Sequence, residues 1–231
     1  MYNTQDIKQL FINKYNNNEF RIIGNKVQQS KTIELQNIQF IADKPWIIRE
    51  PNYGYAEREI EWYKKQSLNV NDIPGGAPKM WKTCATPDGF INSNYGWIIW
   101  SEDNYNQFEN ACNKLINDLH TRESVMIYTR PSIQKEYNKD GMHDFICTNY
   151  TQHFINADKE GNFTLKYIVY QRSCDSVFGF DNDILWHQYV QNAMIDYIAE
   201  NTDNIIKLKP EPIECNMGSL HIYERHFKYL K

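Results

Sequence analysis

The chain has 231 residues, of which 41% are hydrophobic and 14% aromatic, so it can bury one sizeable core and we expect a single domain over residues 1–231. The net charge is −4 and the pI is about 5.9, so the chain lacks the excess of basic residues with which proteins bind the phosphates of long nucleic acid. We therefore do not expect direct nucleic-acid binding. An anionic ligand must therefore be met by a local cluster of arginines.

The first half of the chain is predicted to contain two helices and two strands. Apolar residues at helical spacing predict a helix over Asp6–Tyr15, and alternating patterns predict strands over Phe20–Ile23 and Thr32–Ile41. A second helix is predicted over Ala56–Lys65; its three glutamates indicate a solvated face, although one of them can point inward. Pro-Gly and Pro-Asp-Gly signals predict that the chain from there to residue 91 is mostly loop around Trp81, and loops often carry binding sites.

The second half of the chain favours a mixed sheet with helices packed on it rather than a regular alternation of strand and helix. Ser101 is a plausible N-cap for a helix over Asp103–Leu119. Further helical and strand patterns are predicted as follows: strands over Val125–Tyr128, Phe145–Ile155 and Phe163–Tyr170, and a long, buried helix over Ile184–Ala199.

Two stretches could carry chemistry. In "DFICTNYTQHFI", Cys147 lies on a predicted strand, where a lone cysteine is more often a small apolar filler than a nucleophile. A nearby arginine would lower the pKa of the thiol and give a thiolate, and Arg172 on the next predicted strand is a candidate. In "YQRSCDSVFGFDND" the polar residues after the strand fit an ordinary turn equally well, but an arginine beside a buried run is costly unless it holds an anion or a carboxylate.

The stretch "GSLHIYERHF" places His221 and Tyr223 on one strand face, from which both could reach a ligand hydroxyl, although such residues also occur in cores. His221 and His226 lack a third partner at metal-ligand spacing, and His143 with Cys147 is no better. We therefore expect no metal site.

The cysteines and the N-terminus indicate a cytoplasmic protein. The five cysteines are odd in number and widely spaced, and no two of them form a Cys-x-x-Cys pair. The N-terminal sequence lacks a basic region followed by an apolar run, and no apolar stretch approaches the length of a membrane span. We expect reduced thiols, no export and no membrane partner.

Five stretches together carry a specific resemblance: "YGYAEREIEWY", "INSNYGWIIWSEDNY", "MIYTRPSIQKEYNKDGMHDFICTN", "QRSCDSVFGFDND" and "MGSLHIYERHF". In that order they resemble the thymidylate synthase superfamily, and most closely its bacteriophage deoxycytidylate 5-hydroxymethylase branch, over roughly residues 38–227. The resemblance implies an α+β thymidylate synthase fold, in which a mixed β-sheet is packed with helices and mediates a homodimer. It also implies a reaction of dCMP, 5,10-methylenetetrahydrofolate and water that gives 5-hydroxymethyl-dCMP and tetrahydrofolate in the cytoplasm of a phage-infected bacterium.

The resemblance also implies a role for particular residues. Cys147 would be the nucleophile that adds to C6 of the pyrimidine, Glu59 would organise proton transfers near the base, and Asp183 stands at the position that chooses the base. The remaining matched positions are Arg172 for the phosphate and the nucleophilic sulfur, Ser173 for the phosphate, Tyr95 and Trp81 for the active-site wall, Asp175 for the folate pterin, and His221 and Tyr223 for the 3′-hydroxyl.

Asp183 narrows the expectation to cytosine. Thymidylate synthases carry an asparagine at this position, which suits uracil, whereas a carboxyl group can accept from the cytosine amine and share a proton with N3. Thr148 replaces a histidine that is usual in thymidylate synthases, and the phage branch shares this threonine. An enzyme acting on dUMP and a noncatalytic nucleotide-binding relative remain the alternatives.

Two departures from the family pattern stand out. The family usually donates paired arginines across the dimer interface to the phosphate, but here the pair is Arg122-Glu123. Arg122 can still serve, whereas a glutamate beside a phosphate would be unfavourable unless it points away. Relatives continue into a C-terminal segment that closes over folate, whereas this sequence stops at Lys231, so we expect either a different closure or a shortened chain.

Overall fold

The computed structural model describes residues 1–24, 29–157 and 160–231 of the chain. The helices are α1 Thr4–Asn16, α2 Tyr53–Lys64, α3 Lys79–Cys84, α4 Tyr95–Trp100, α5 Gln107–Asn117, α6 Ile133–Glu136 and α7 Gly179–Glu200. The strands are β1 Tyr2–Asn3, β2 Arg21–Gly24, β3 Gln29–Ala42, β4 Val125–Ile127, β5 Thr148–Ala157, β6 Phe163–Gln171, β7 Cys174–Asp175, β8 Leu208–Pro210 and β9 Ile213–Tyr223. Short 3-10 helices cover Val70–Asp72, Glu102–Asn104, Lys139–Gly141 and Glu224–Leu230.

The strands of the described residues form one mixed sheet. Its order is β1-β3-β9-β6-β5-β4, with β2 beside β3, β7 beside β9 and β8 beside β6. The pairs β3–β9, β5–β6 and β4–β5 are antiparallel, whereas β6–β9 and β7–β9 are parallel. The α+β fold class with a mixed sheet, which the sequence predicts, is confirmed.

The long helix α7 packs on one face of the sheet and buries a core between them. Phe180, Ile184, Val190, Met194 and Ile198 of this helix are fully buried, as are the inward residues of β6. The opposite sheet face carries a partly exposed layer in which the rings of Tyr150 and Tyr170 stack with centroids 4.3 Å apart. The fold therefore holds α7 against the strand ends that carry Cys147 and Arg172.

Several predicted elements have different bounds in the structure. The predicted helix Asp103–Leu119 is split, because Tyr105 and Asn106 adopt left-handed φ angles of 63° and 43° and Asn106 becomes the N-cap of α5. The predicted loop around Trp81 contains the short helix α3, and α4 was not predicted. Helix α7 begins at Gly179, so Asp181 and Asp183 lie in its first turns and not in a turn before it.

Candidate active site

The strand pairing brings Cys147 and Arg172 together. Cys147 immediately precedes β5 and does not lie within a strand, and Arg172 immediately follows β6, while Thr148 pairs with Gln171. The backbone N–H of Arg172 donates to the carbonyl of Cys147 at 2.9 Å, and its Nη2 lies 3.7 Å from the Sγ of Cys147. The expected proximity of arginine and thiol is therefore present.

The guanidinium of Arg172 is also fixed by the segment before Cys147. Its Nε donates to the carbonyl of Ile146 at 2.9 Å, its Nη2 donates to the carbonyl of Phe145 at 2.5 Å, and its plane lies over the Phe145 ring at 4.6 Å. Arg172 is nevertheless exposed, so part of its hydrogen-bonding capacity faces solvent. This arrangement can bind an anion without moving away from the thiol.

The expectation that arginine produces a thiolate in the free protein is wrong. Burial raises the pKa of Cys147 to about 12, and the lowering by Arg172 is outweighed by burial together with the charges of Asp183 and Asp144. The thiol hydrogen is directed at the carbonyl of Phe145, 3.8 Å away. Ionisation of Cys147 therefore requires a change in its surroundings, such as the arrival of a proton acceptor.

Asp183 ends a buried chain of hydrogen bonds that starts at Tyr95. The Tyr95 hydroxyl accepts from the Thr148 Oγ1 at 3.1 Å and from the Thr148 backbone N–H at 3.4 Å. The Nε2 of Gln171 donates both to the Thr148 Oγ1 at 3.1 Å and to the Asp183 Oδ2 at 2.7 Å. Because Thr148 and Gln171 are almost completely buried, this network fixes which Asp183 oxygen is used by the protein.

Burial also brings the pKa of Asp183 close to neutral pH. Desolvation raises its pKa to about 7, the hydrogen bond from Gln171 lowers it, and the nearby charge of Glu59 raises it. Among the described residues, the Oδ1 of Asp183 accepts no hydrogen bond. A carboxyl group of this kind can both donate a proton to a ligand and accept from one.

Glu59 is the inward-pointing glutamate of α2. It is buried, while Glu57 and Glu61 are exposed, which confirms that only one of the three points inward. Its Oε1 accepts from the hydroxyl of Tyr55 at 2.7 Å and from the Nε1 of Trp81 at 2.6 Å. Burial raises the pKa of Glu59 despite these two donors.

A third group of predicted residues lies on β7 and β9. His221 pairs with Asp175 across these strands, and the ring centroids of His221 and Tyr223 are 4.9 Å apart. The Nε2 of His221 is buried and, within the described ranges, has no hydrogen-bond partner. Asp175 accepts from the Val177 backbone N–H at 2.9 Å, and its Oδ2 lies 3.9 Å from Arg225.

Ser173 lies beside this cluster but Arg122 lies apart from it. Ser173 follows Arg172 and is partly exposed. Arg122 is exposed beside the middle of β5, where its carbonyl accepts from Gln152 at 3.0 Å. Four residues along a strand separate Gln152 from Thr148, about 13 Å. Within one chain, therefore, Arg122 does not join Arg172.

Glu123, the residue after Arg122, is exposed and has a cationic partner. Its carboxylate forms an exposed ion pair with Lys114, which lowers the pKa of Glu123. The ammonium group of this α5 lysine offsets part of the negative charge of Glu123 beside Arg122.

Three polar residues of the site were not identified from the sequence. Tyr55 donates to Glu59 from one helical turn earlier, a spacing that could have indicated the contact. The role of Gln171 in holding Asp183 depends on the packing of α7 against β6, which no local pattern reveals. Asp144, three residues before Cys147, is buried and accepts three hydrogen bonds, although it lies in sequence without regular structure.

The cluster combines groups suited to covalent chemistry on a small anionic ligand. It contains a thiol beside the guanidinium of Arg172, which is exposed and can also bind an anion. It also contains two carboxyl groups with raised pKa values. No group of three or more residues of the types His, Cys, Asp and Glu could hold a metal ion in the described part of the chain. In that same part, no helix is long and apolar enough to cross a membrane.

The residues that match a known protein family include every residue of this cluster. The family model for thymidylate synthase matches residues 28–231. The deoxycytidylate 5-hydroxymethyltransferases of Enterobacteria phages T4 and T2 are each 48% identical to the chain over 197 residues, which are 85% of this chain and 78% of theirs. A thymidylate synthase of Fusobacterium nucleatum subsp. nucleatum is 26% identical over 175 residues, which are 75% of this chain and 58% of that protein.

Proposed function

The chain belongs to the thymidylate synthase family, and from this premise we propose that it is a folate-dependent one-carbon transferase acting on deoxycytidylate. The reaction joins dCMP, 5,10-methylenetetrahydrofolate and water to give 5-hydroxymethyl-dCMP and tetrahydrofolate. The observation that carries the choice of base is the carboxyl group of Asp183, which Gln171 holds through Oδ2, so that Oδ1 and the second lone pair of Oδ2 can meet a ligand. The 48% identity to phage enzymes named for this activity supports it.

The pairing chemistry of Asp183 favours cytosine. Its pKa of about 7 lets one oxygen accept from the cytosine amine while a proton is shared with N3. An ionised carboxylate facing the O4 acceptor of uracil would leave an unfavourable contact, which costs roughly 1–3 kcal/mol. The expected preference for dCMP over dUMP is therefore about tenfold to a few hundredfold.

Cys147 and its neighbours carry the covalent step. The Cys147 thiol gives its proton to a base of the site as its sulfur bonds to C6, and the electron pair of the C5–C6 double bond moves to C5, which becomes nucleophilic. The proton on N3 at Asp183 stabilises this activated ring. After C5 has bonded to the one-carbon unit, it loses its proton, the C–S bond breaks and the thiol is restored. Arg172 holds the phosphate with Ser173 while remaining 3.7 Å from the sulfur, so phosphate binding and nucleophile alignment are coupled. Glu59 and Tyr95 hold protons and water on either side of the base.

The residues opposite the thiol fit the sugar and the cosubstrate. The buried, unpartnered Nε2 of His221 offers a position for the 3′-hydroxyl, with Tyr223 as its neighbour. Asp175 presents a carboxylate that can accept from the N–H groups of the pterin, and Trp81 presents an aromatic wall beside Glu59. The folate supplies the one-carbon unit, and water supplies the hydroxyl oxygen.

We propose that two copies of the chain, each a single catalytic domain over residues 1–231, form a homodimer that completes the phosphate site. Arg122 is exposed and lies far from Arg172 along β5, so it would reach a phosphate only from a second copy. The sheet face with Tyr150 and Tyr170 is the interface that we propose, because its aromatic layer lies opposite α7. We place the protein in the cytoplasm of an infected bacterium, as expected for a relative of phage enzymes.

Product analysis tests the function directly. The protein is incubated with dCMP or dUMP and 5,10-methylenetetrahydrofolate, and the nucleotides are separated and weighed by mass spectrometry. We expect dCMP to gain one CH₂O unit, while dUMP is converted far more slowly and no dihydrofolate forms. Conversion of dUMP with formation of dihydrofolate would contradict the proposal. The variant Cys147→Ala controls for turnover by a contaminant and should form no product.

A further inference from the structure

The segment that carries Cys147 to the start of β5 is anchored along its length. The backbone N–H of His143 donates to the carbonyl of Cys84 at 2.8 Å, and that of Asp144 donates to the carbonyl of Tyr137 at 2.9 Å. The next two carbonyls, of Phe145 and Ile146, accept from Arg172. Because the segment has no regular secondary structure, these contacts replace the hydrogen bonds that a strand would provide.

Asp144 makes the most complete contact of this segment. Its Oδ2 accepts from the backbone N–H of Asn92 at 2.7 Å and from that of Ser93 at 2.8 Å. Its Oδ1 accepts from the Ser93 hydroxyl at 2.7 Å. The side chain of Asn92 returns a hydrogen bond to the carbonyl of Asp144 at 3.2 Å. Both oxygens of a buried carboxyl group are thus used on two consecutive residues, a geometry that leaves little freedom.

The contact joins two parts of the active site. Ser93 lies two residues before Tyr95, and the Asn94 side chain caps α4 by accepting from the Trp97 backbone N–H at 2.7 Å. Tyr95 in turn accepts from Thr148, the residue after the nucleophile. Thr148 therefore ties one side of Cys147 to α4, and Asp144 ties the other side to the two residues that precede the N-cap of α4.

We infer that Asp144 is a positioning residue for Cys147: its carboxyl group clamps the segment of the nucleophile to the segment that carries Tyr95. The inference rests on the proposed function only in treating Cys147 as the nucleophile. Its physical basis is that a thiol must meet C6 of a base at near-attack distance, where a displacement of about 1 Å can cost about a hundredfold in rate. Without these side-chain hydrogen bonds of Asp144, the segment before Cys147 is no longer held against Asn92 and Ser93 by a side chain of Asp144.

The charge of Asp144 is a separate effect with the opposite sign. The Asp144 carboxylate raises the pKa of Cys147, so neutralising it alone favours the thiolate. Asp144→Asn can keep all three hydrogen bonds, because its amide oxygen can replace Oδ2 and the Ser93 hydroxyl can turn to accept from the amide NH₂. Asp144→Ala loses both the charge and the bonds. Comparing these two variants isolates positioning from charge.

Two measurements test the inference. The first is kcat and KM for dCMP, for which we expect Asp144→Ala to lower kcat at least about tenfold with little change in KM, while Asp144→Asn keeps most of kcat. The second is the pH dependence of Cys147 alkylation by iodoacetamide without substrate, followed by peptide mass spectrometry with cysteine-free peptides of the same chain as the internal standard. Here we expect a higher apparent pKa of Cys147 in Asp144→Ala than in Asp144→Asn, because the thiol loses its position beside Arg172.

Equal kcat and equal alkylation profiles of folded Asp144→Ala and Asp144→Asn would overturn the inference. If Asp144→Ala does not fold, Ser93→Ala removes one of the three bonds and keeps the charge. An unchanged kcat and alkylation profile of Ser93→Ala would then count against the clamp. The alkylation measurement needs no turnover, so it stands even if the wild-type protein fails to convert dCMP.

Discussion

Two carboxyl groups, two residues apart, show how the environment of a single residue decides its chemistry. Asp183 is held by Gln171 and has a pKa raised by burial to about 7. Asp181 is 1% exposed, and both its oxygens lack a hydrogen-bond partner among the described residues. Burial raises its pKa to about 8, although the charge of Arg49 lowers it. Both residues lie in the motif "QRSCDSVFGFDND", but the family resemblance implies a role only for Asp183.

At the residue scale we predict that Asp183→Asn shifts the preference from dCMP toward dUMP. An amide can accept from uracil N3–H and donate to O4, whereas it cannot share the proton that cytosine N3 needs. The ratio of kcat/KM for dCMP to that for dUMP should fall by about tenfold or more.

The matched control is Asp181→Asn, the same chemical change one half-turn earlier on α7, which should keep the preference for dCMP. A ratio that is the same in Asp183→Asn as in the wild type would refute the role of Asp183. The ratio is measured from initial rates at equal folate concentration.

At the element scale, the site depends on the close approach of α2 and α4. Gly96 lies directly against the backbone of Tyr63, and an added Cβ would overlap the carbonyl of Tyr63. This approach lets the rings of Tyr63 and Tyr95 stack with centroids 5.5 Å apart. The position of Tyr95 over Thr148 is therefore set by a helix contact that requires glycine.

We predict that Gly96→Ala destabilises the protein and reduces activity. Overpacking of this kind costs typically about 1–3 kcal/mol, and displacement of α4 moves Tyr95. Chemical denaturation and kcat measured on the same preparation check both effects.

Gly54→Ala is the control on α2, since the nearest atom to its added Cβ is 3.8 Å away. Alanine is favoured over glycine within a helix, so this variant should be neutral or slightly more stable. Equal stability of the two variants would mean that the contact of α2 with α4 is not as tight as the backbone indicates.

At the scale of the whole molecule, buried acids make stability depend on pH. Burial raises the pKa of Glu59, Asp144, Asp181 and Asp183 in the folded protein. In the unfolded chain these groups lose their protons near pH 4, whereas Asp181 and Asp183 keep theirs until about pH 8 and 7 in the folded state. Buried His153 and His187, whose pKa values burial lowers to about 3, act in the opposite direction below about pH 6.5, because only the unfolded chain protonates them there. The free energy of unfolding should therefore fall mainly as the pH rises from about 6.5 to about 8 and level off above.

We predict that Asp181→Asn makes this fall shallower. One titrating group contributes up to about 1.4 kcal/mol per pH unit in that window, and the variant removes it. Urea denaturation from pH 5 to pH 8 measures the slope. Asp196→Asn, an exposed position on α7, should leave the slope unchanged. A slope in Asp181→Asn as steep as that of the wild type would contradict the unpartnered burial of Asp181.

The fold class and the family could be predicted from the sequence through the resemblance that five motifs carry, and the strand patterns through alternation, which is a local property of the chain. The sequence also correctly predicted that Cys147 and Arg172 lie together and that one glutamate of α2 is buried. It placed too long a helix before β4, because left-handed Tyr105 and Asn106 interrupt a pattern whose apolar spacing continues.

The protonation and the anchoring of the site depend on the packing of the whole chain. From the sequence, a nearby arginine would give a thiolate at Cys147, but burial, which depends on everything packed around the sulfur, raises the pKa of the thiol more than Arg172 lowers it. The hydrogen bonds from Gln171 to Asp183 and from Ser93 to Asp144 join residues 12 and 51 positions apart. Contacts of such separation arise when strands and helices pack, so no local pattern in the chain can specify them.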